Sequence, residues 1–241
     1  VGLSDKVEIY KFKDRRLSKL AEYSSGDKIP AIGIDVADIN RDGKAEIFVS
    51  RVSRGTVSSM VLQYQNGRLV PIVRDSDYLF RIMDLPGSGT TLLGQRMLSG
   101  TEETHVDLIK YYFDPAIIRL EWTGNGYVSV GEISIPVIKG LYLYNFILGD
   151  MDMDGSPEIV VIDTEEKINV FSMTGERLYK STESFGSTLN YIRLNPEKEG
   201  SRSQVRLQIN DLYLPPRMAI LDIEGDGKKE LIVVKNTSSS P

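Results

Sequence analysis

Apolar residues in this chain fall in short runs broken by polar punctuation, without the three-to-four spacing of a long amphipathic helix. Ile47-Phe-Val49, Ile159-Val-Val-Ile162 and Leu231-Ile-Val-Val234 are continuous and rich in β-branched residues, which suits strands covered on both faces. Other runs alternate and flank turn residues. Val61–Gln65 and Arg68–Val73 enclose Asn66-Gly67, a pair that tolerates the positive φ values of a type I′ hairpin. Ile117–Trp122 and Tyr127–Ile133 enclose Thr-Gly-Asn-Gly, and Ile168–Ser172 and Arg177–Tyr179 enclose Met-Thr-Gly-Glu. Val7–Phe12 and Leu17–Tyr23 flank Lys-Asp-Arg-Arg near the start. The pattern predicts an all-β chain.

One acidic pattern recurs three times. Its copies are Asp38-Ile-Asn40-Arg-Asp42-Gly43-Lys44-Ala-Glu46, Asp150-Met-Asp152-Met-Asp154-Gly155-Ser156-Pro-Glu158 and Asp222-Ile-Glu224-Gly-Asp226-Gly227-Lys228-Lys-Glu230. Each follows an apolar approach and runs into one of the continuous strands, so the repeated unit is strand, acidic loop, strand. The gap between the first two copies exceeds a propeller repeat of about 40 to 50 residues. It holds a decayed copy: a strand over Tyr78–Met83, then Asp84-Leu-Pro-Gly-Ser88-Gly89, keeping the first Asp and the glycine but not the other carboxylates.

The repeats predict a β-propeller of four-stranded blades, about four of them in this chain. They divide it into an outer hairpin (residues 1–30), a blade with an acidic loop (31–77), a degenerate blade (78–140), a second blade with a loop (141–183) and a last blade with an insertion (184–241). The insertion, from Ser181 to Pro216, is expected to hold either a projecting hairpin of Tyr191–Leu194 with Val205–Ile209 or an extra outer strand pair. An outer-type hairpin at the start and an inner pair at the end suit either a shared closing blade or a larger ring, and the polar stretch Lys235–Pro241 favours the larger ring.

The acidic loops fit a hard cation. Calcium takes six to eight oxygens, and a tight loop supplies them from side chains at positions 1, 3 and 5, a carbonyl at 7 and a carboxylate at 9, with glycine at 6 permitting the turn. The expected ligands are Asp38, Asn40, Asp42, the Lys44 carbonyl and Glu46; Asp150, Asp152, Asp154, the Ser156 carbonyl and Glu158; and Asp222, Glu224, Asp226, the Lys228 carbonyl and Glu230. About three Ca²⁺ ions are expected, Mg²⁺ being the poorer fit because it demands stricter octahedral geometry. Ordinary Asp/Asn/Gly surface turns are the plain alternative, which three copies in register disfavour. An EF-hand needs a bidentate Glu at position 12 and flanking helices. Position 12 is Val49, Val161 and Val233.

The Asp-x-Asp/Asn-x-Asp-Gly-x-x-Glu loop between short strands resembles the FG-GAP or VCBS-type repeat, the calcium-binding blade of integrin-α-like propellers and of many secreted bacterial proteins. The resemblance covers about two thirds of the chain and departs from the pattern at Glu224, one methylene longer than usual. It implies a ring of roughly seven blades, an extracytoplasmic setting rich in calcium, and a non-catalytic scaffold for protein–protein interaction or adhesion. The alternative is a carbohydrate-binding or polysaccharide-active propeller.

Composition narrows the choice. Among 241 residues, 41% are hydrophobic and 26% charged, with a net charge of −5 and the basic residues scattered, so no nucleic-acid partner is expected. No run is long and apolar enough for a membrane-spanning helix, and Val1–Tyr10 does not read as an export signal. With no cysteine, thiolate chemistry and disulfides are absent. The single histidine, His105, sits in a polar run (Ser99–His105), which disfavours a Ser-His-Asp triad or a histidine zinc site. No catalytic residues are assigned. Asp84, Asp114 and Glu121 are weak acid–base candidates, and Trp122 with Tyr127 reads as cross-strand packing in preference to a sugar platform.

Overall fold

The computed structural model describes residues 6–27, 29, 31–53, 56–98, 113–185, 191–193, 211–214 and 217–235. No helix occurs among them, and therefore none long and apolar enough to cross a membrane. Every strand pairing is antiparallel.

The chain opens with a hairpin of β1 (Lys6–Lys13) and β2 (Arg16–Ser24). Its turn is only Asp14-Arg15, shorter than the four-residue connection the sequence suggested, and both residues carry positive φ (52° and 59°). That is the type I′ geometry whose twist matches the strands. The first large sheet holds β3 (Ala31–Ala37), β4 (Glu46–Ser53), β6 (Ser59–Gln65) and β7 (Arg68–Ser76) in that order, with the short β5 (Thr56–Val57) beside β4. Asn66 and Gly67 close its last hairpin at φ 49° and 82°.

The second sheet runs β8 (Tyr78–Leu85), β9 (Gly89–Arg96), β10 (Ile118–Trp122), β11 (Tyr127–Glu132), and the third β12 (Phe146–Gly149), β13 (Glu158–Ile162), β14 (Lys167–Phe171), β15 (Arg177–Ser184). Each is a four-stranded meander in chain order. Two short pairs follow: β16 (Tyr191–Arg193) with β17 (Asp211–Tyr213), and β18 (Ala219–Leu221) with β19 (Glu230–Ile232). β16 thus pairs with residues 211–213. The partner expected from the sequence, Val205–Ile209, lies outside the described residues, as does His105.

Sheets cannot hide both faces alone, so they stack in series. Val7 and Ala21 of the opening hairpin pack on Ile47, Val49, Met60, Leu62 and Leu69. The other face of that sheet gives Phe48 and Val61 to a core with Phe80, Leu92 and Leu120. Leu79, Met83 and Leu93 then meet Phe146, Ile159 and Val161 of the third sheet. Val160, Ile162 and Ile168, on its far side, pack with Met218, Ile220, Leu231 and Val233. At this last junction Gly149 allows close approach, since a Cβ there would lie 2.7 Å from Ile220 Cδ1.

The first strands of successive sheets also meet: β3 with β8, β8 with β12, and β12 with β18. Polar ties cross these junctions. Ser50 Oγ accepts from the Phe80 amide (2.8 Å), and the Tyr144 hydroxyl donates to the Phe80 carbonyl (3.1 Å). The sequence expectation of an all-β chain built on four-stranded sheets is met. The two end pairs, β1–β2 and β18–β19, stand as separate sheets.

Candidate metal centre

Each acidic loop joins the first two strands of its sheet: β3 to β4, β12 to β13 and β18 to β19. All three fold alike because their backbones solve the same problem. Positions 4 and 6 turn left-handed, at Arg41 and Gly43 (φ 60° and 84°), Met153 and Gly155 (63° and 90°), and Gly225 and Gly227 (72° and 89°). The turn points amides inward, where carboxylates receive them. Asp38 accepts from the Asp42 and Gly43 amides (3.1 and 3.0 Å), Asp150 from Gly155 (3.1 Å), and Asp222 from Gly225 and Gly227 (2.6 and 2.9 Å). Asp42, Asp154 and Asp226 accept from the amides two residues on.

The ninth-position glutamate has a role that sequence reading missed. Glu46 Oε2 accepts from the amides of Ile39 (2.9 Å) and Asn40 (3.2 Å), Glu158 Oε2 from Met151 (2.8 Å), and Glu230 Oε2 from Ile223 (2.9 Å). The side chain thus reaches back to position 2 and closes the loop on its own strand. Its constant spacing from the amide it locks was the available signal. Glu46 is fully buried and Glu158 nearly so, which makes these the best-shielded carboxylates of the loops.

Loop one is tied further. Gln63 on β6 donates to Asp42 Oδ2 (2.9 Å) and Glu46 Oε1 (3.1 Å), and that first contact holds the Asp42 carboxyl below the usual range. Tyr127 on β11, in the next sheet, donates its hydroxyl to Glu46 Oε2 (3.3 Å). Burial and the nearby carboxylates push the Tyr127 phenol far upward, so it remains a donor.

The carboxylates converge to different extents. Asp38, Asp42 and Glu46 bring oxygens within 4.8 Å of one another, as do Asp150, Asp152 and Asp154. Among the described residues these are the two groups that could hold a metal ion. Glu158 stands apart from its group, and Asp222, Glu224, Asp226 and Glu230 do not gather as closely. In the third loop Lys228 Nζ approaches Asp226 Oδ2 (3.7 Å). Asn40 keeps its side-chain oxygen on the Asp42 amide (2.9 Å).

The donor set can be tested for fit. Asp150 Oδ1 is buried and has no hydrogen-bond partner. A buried carboxylate oxygen without a donor is costly, and a cation relieves it. All the gathered ligand atoms are oxygens, which suits a hard divalent ion and gives soft metals nothing to prefer.

The weaker candidates resolve differently. Asp84 ends no open loop: it lies in β8, opposite Thr90, whose hydroxyl it accepts (2.7 Å), above a tight turn over residues 86–88. Trp122 and Tyr127 are direct cross-strand partners with ring centroids 5.1 Å apart, and Tyr127 also meets Phe48 edge-on at 5.3 Å. The pair is packing, as its register implied. Asp114 caps its own segment, accepting from the Ala116 amide (2.9 Å).

The chain matches no protein-family model, no curated protein and no solved structure, so its functional reading rests on these loops and sheets alone.

Proposed function

We propose that this chain is part of a calcium-stabilised β-propeller of the FG-GAP or VCBS type, serving as a rigid, non-catalytic scaffold for protein–protein contact outside the cytoplasm. The observation that carries the reading is the orphaned, buried Asp150 Oδ1 within the Asp150–Asp152–Asp154 group. Ca²⁺ fits this all-oxygen set better than Mg²⁺ does, because the loop is irregular and its ligands come from flexible carboxylates. Asp38, Asp42 and Glu46 would hold a second ion, and the looser third loop a weaker one. The ion supplies positive charge that permits several carboxylates to share one turn.

Support for the propeller comes from successive antiparallel meander sheets whose first strands meet one another, with an acidic loop joining the first two strands of the first and third of these sheets and the last strand pair, β18–β19. Loop affinities in the range of extracellular calcium modules, roughly 10⁻⁴–10⁻³ M, would suit a periplasmic or surface setting. A scaffold reading is favoured over a carbohydrate platform because Tyr127 is committed to Phe48, Trp122 and Glu46.

The test is thermal unfolding of chelated protein with Ca²⁺, Mg²⁺ or no ion added back. Ca²⁺ at a hundredfold excess over its dissociation constant is expected to add about 2.7 kcal/mol per site, with less from Mg²⁺. Superimposable curves under all three conditions would overturn the metal role. Retention of the folded chain on immobilised glycans would replace the scaffold with the carbohydrate reading.

A further inference from the structure

The opening hairpin leaves a strand edge and an apolar wall uncovered beside each other. Among the described residues β1 pairs only with β2, so along its other edge alternate amides and carbonyls meet no partner strand. A cleft of about 840 Å³ runs along that edge. Val7, Glu8, Ile9 and Tyr10 line it in an unbroken run, whereas β2 gives it only Leu20. A cleft over one face of a strand would meet alternate residues, so this one lies beside the strand.

The facing wall belongs to the first large sheet and is apolar, with Ile34 and Val36 of β3 and Ile47 of β4. Val36 is 58% exposed and Tyr10 47%. The acidic repeats show what such a wall accepts. Ile220 stands two residues before the first aspartate of its loop, as Val36 does. Ile220 is covered by a strand, β12, where Gly149 makes room for it. Val36, at the same place in its own repeat, is left open.

Charge narrows the occupant. Lys6 to Ser24 holds six basic and three acidic residues, in a chain whose net charge is −5. Glu8, the acid on the cleft, is already met by the Tyr10 hydroxyl (2.8 Å) and by Lys19 Nζ (3.3 Å). Lys6 precedes the lining run along β1, Lys11 and Lys13 follow it, and Lys44 stands on the cleft itself.

We propose that this cleft binds an extended, acidic segment of a partner protein, which adds to β1 as a further strand. Its backbone pairs with the β1 edge, its alternate apolar side chains rest on Ile34, Val36 and Ile47, and the acids between them face the basic hairpin. The proposal rests on the scaffold reading and names its contact surface.

The experiment is fluorescence anisotropy of the whole chain, at saturating Ca²⁺, with a labelled Glu-Val-Glu-Val-Glu-Val-Glu peptide. Saturable binding that weakens with added salt is expected. Proline in place of the central valine removes an amide donor and should abolish it. A peptide with lysine for every glutamate should not bind. Val36→Glu, a change at an exposed position, is expected to weaken binding by about tenfold or more, because it sets a charge on the apolar wall. No binding, equal binding of the proline or lysine peptide, or an unchanged affinity in Val36→Glu would overturn the proposal. Dimerisation in sedimentation that Val36→Glu removes would give the cleft to a second copy of this chain, and overturn it too. A protein whose melting responds to Ca²⁺ but which ignores the peptide loses this site and keeps the metal role.

Discussion

At the scale of single residues, the loops balance repulsion and backbone strain against an ion. Asp150 Oδ1 faces no donor, so Asp150→Asn removes a buried charge together with a ligand. The variant is expected to lose most of the calcium increment in thermal unfolding, about 2.7 kcal/mol at a hundredfold excess of ion, while the chelated form melts no lower than wild type. A variant that kept the full increment would show that this oxygen does not meet the ion. Met153 is a second lever. It holds φ 63° while 56% exposed, a conformation that disfavours side-chain-bearing residues by roughly 1–2 kcal/mol. Met153→Gly is therefore expected to stabilise the calcium-loaded protein by up to about 1 kcal/mol in denaturant unfolding, since the loss of an exposed side chain subtracts little.

At the scale of elements, the turn between β13 and β14 shows how a carboxylate sets a hairpin. Asp163 Oδ1 accepts from the amides of Glu165 and Lys167 (both 2.9 Å), and Oδ2 accepts from Asn169 Nδ2 (2.8 Å). Burial alone would raise its carboxyl, but these donors and the charge of Lys180 outweigh it and hold the group below the usual carboxylate range. A carboxylate with a depressed folded-state pKa contributes stability above its unfolded value of about 4 and loses that contribution as pH falls through the lower folded value. Asp163→Asn is expected to lose roughly 1–3 kcal/mol at pH 7, the order of hydrogen bonds to a charged group. Its deficit against wild type should shrink as pH drops below about 4. A deficit constant from pH 7 to pH 2.5 in urea titrations would show that the charge plays no part.

At the scale of the molecule, the sheets communicate through the faces they share. Loop one belongs to the first large sheet, yet Tyr127 of the second donates to its Glu46, and Tyr127 packs against Trp122, the single tryptophan. Ion binding at loop one is therefore expected to change Trp122 emission when Ca²⁺ is added to chelated protein. Tyr127→Phe keeps the ring contacts but removes the hydroxyl, so the emission change should fall and stability should drop by roughly 0.5–1.5 kcal/mol. An undiminished emission change in Tyr127→Phe would place the signal elsewhere than this hydroxyl.

What the sequence determined by itself is local. The β-branched runs, the Asn66-Gly67 turn and the acidic nonapeptides specify strands, hairpins and loops, because neighbouring residues alone satisfy those backbone demands. Even the degenerate copy at Asp84 is legible as a hairpin of the same kind. Tertiary structure decided which groups meet. The Gln63 and Tyr127 ties to loop one, the pairing of β16 with residues 211–213, and the pairing of Arg217 with Asp35 depend on residues far apart in sequence. Their positions follow from how twisted sheets stack to cover both faces, and a periodicity of two says nothing about which face of which neighbour that will be.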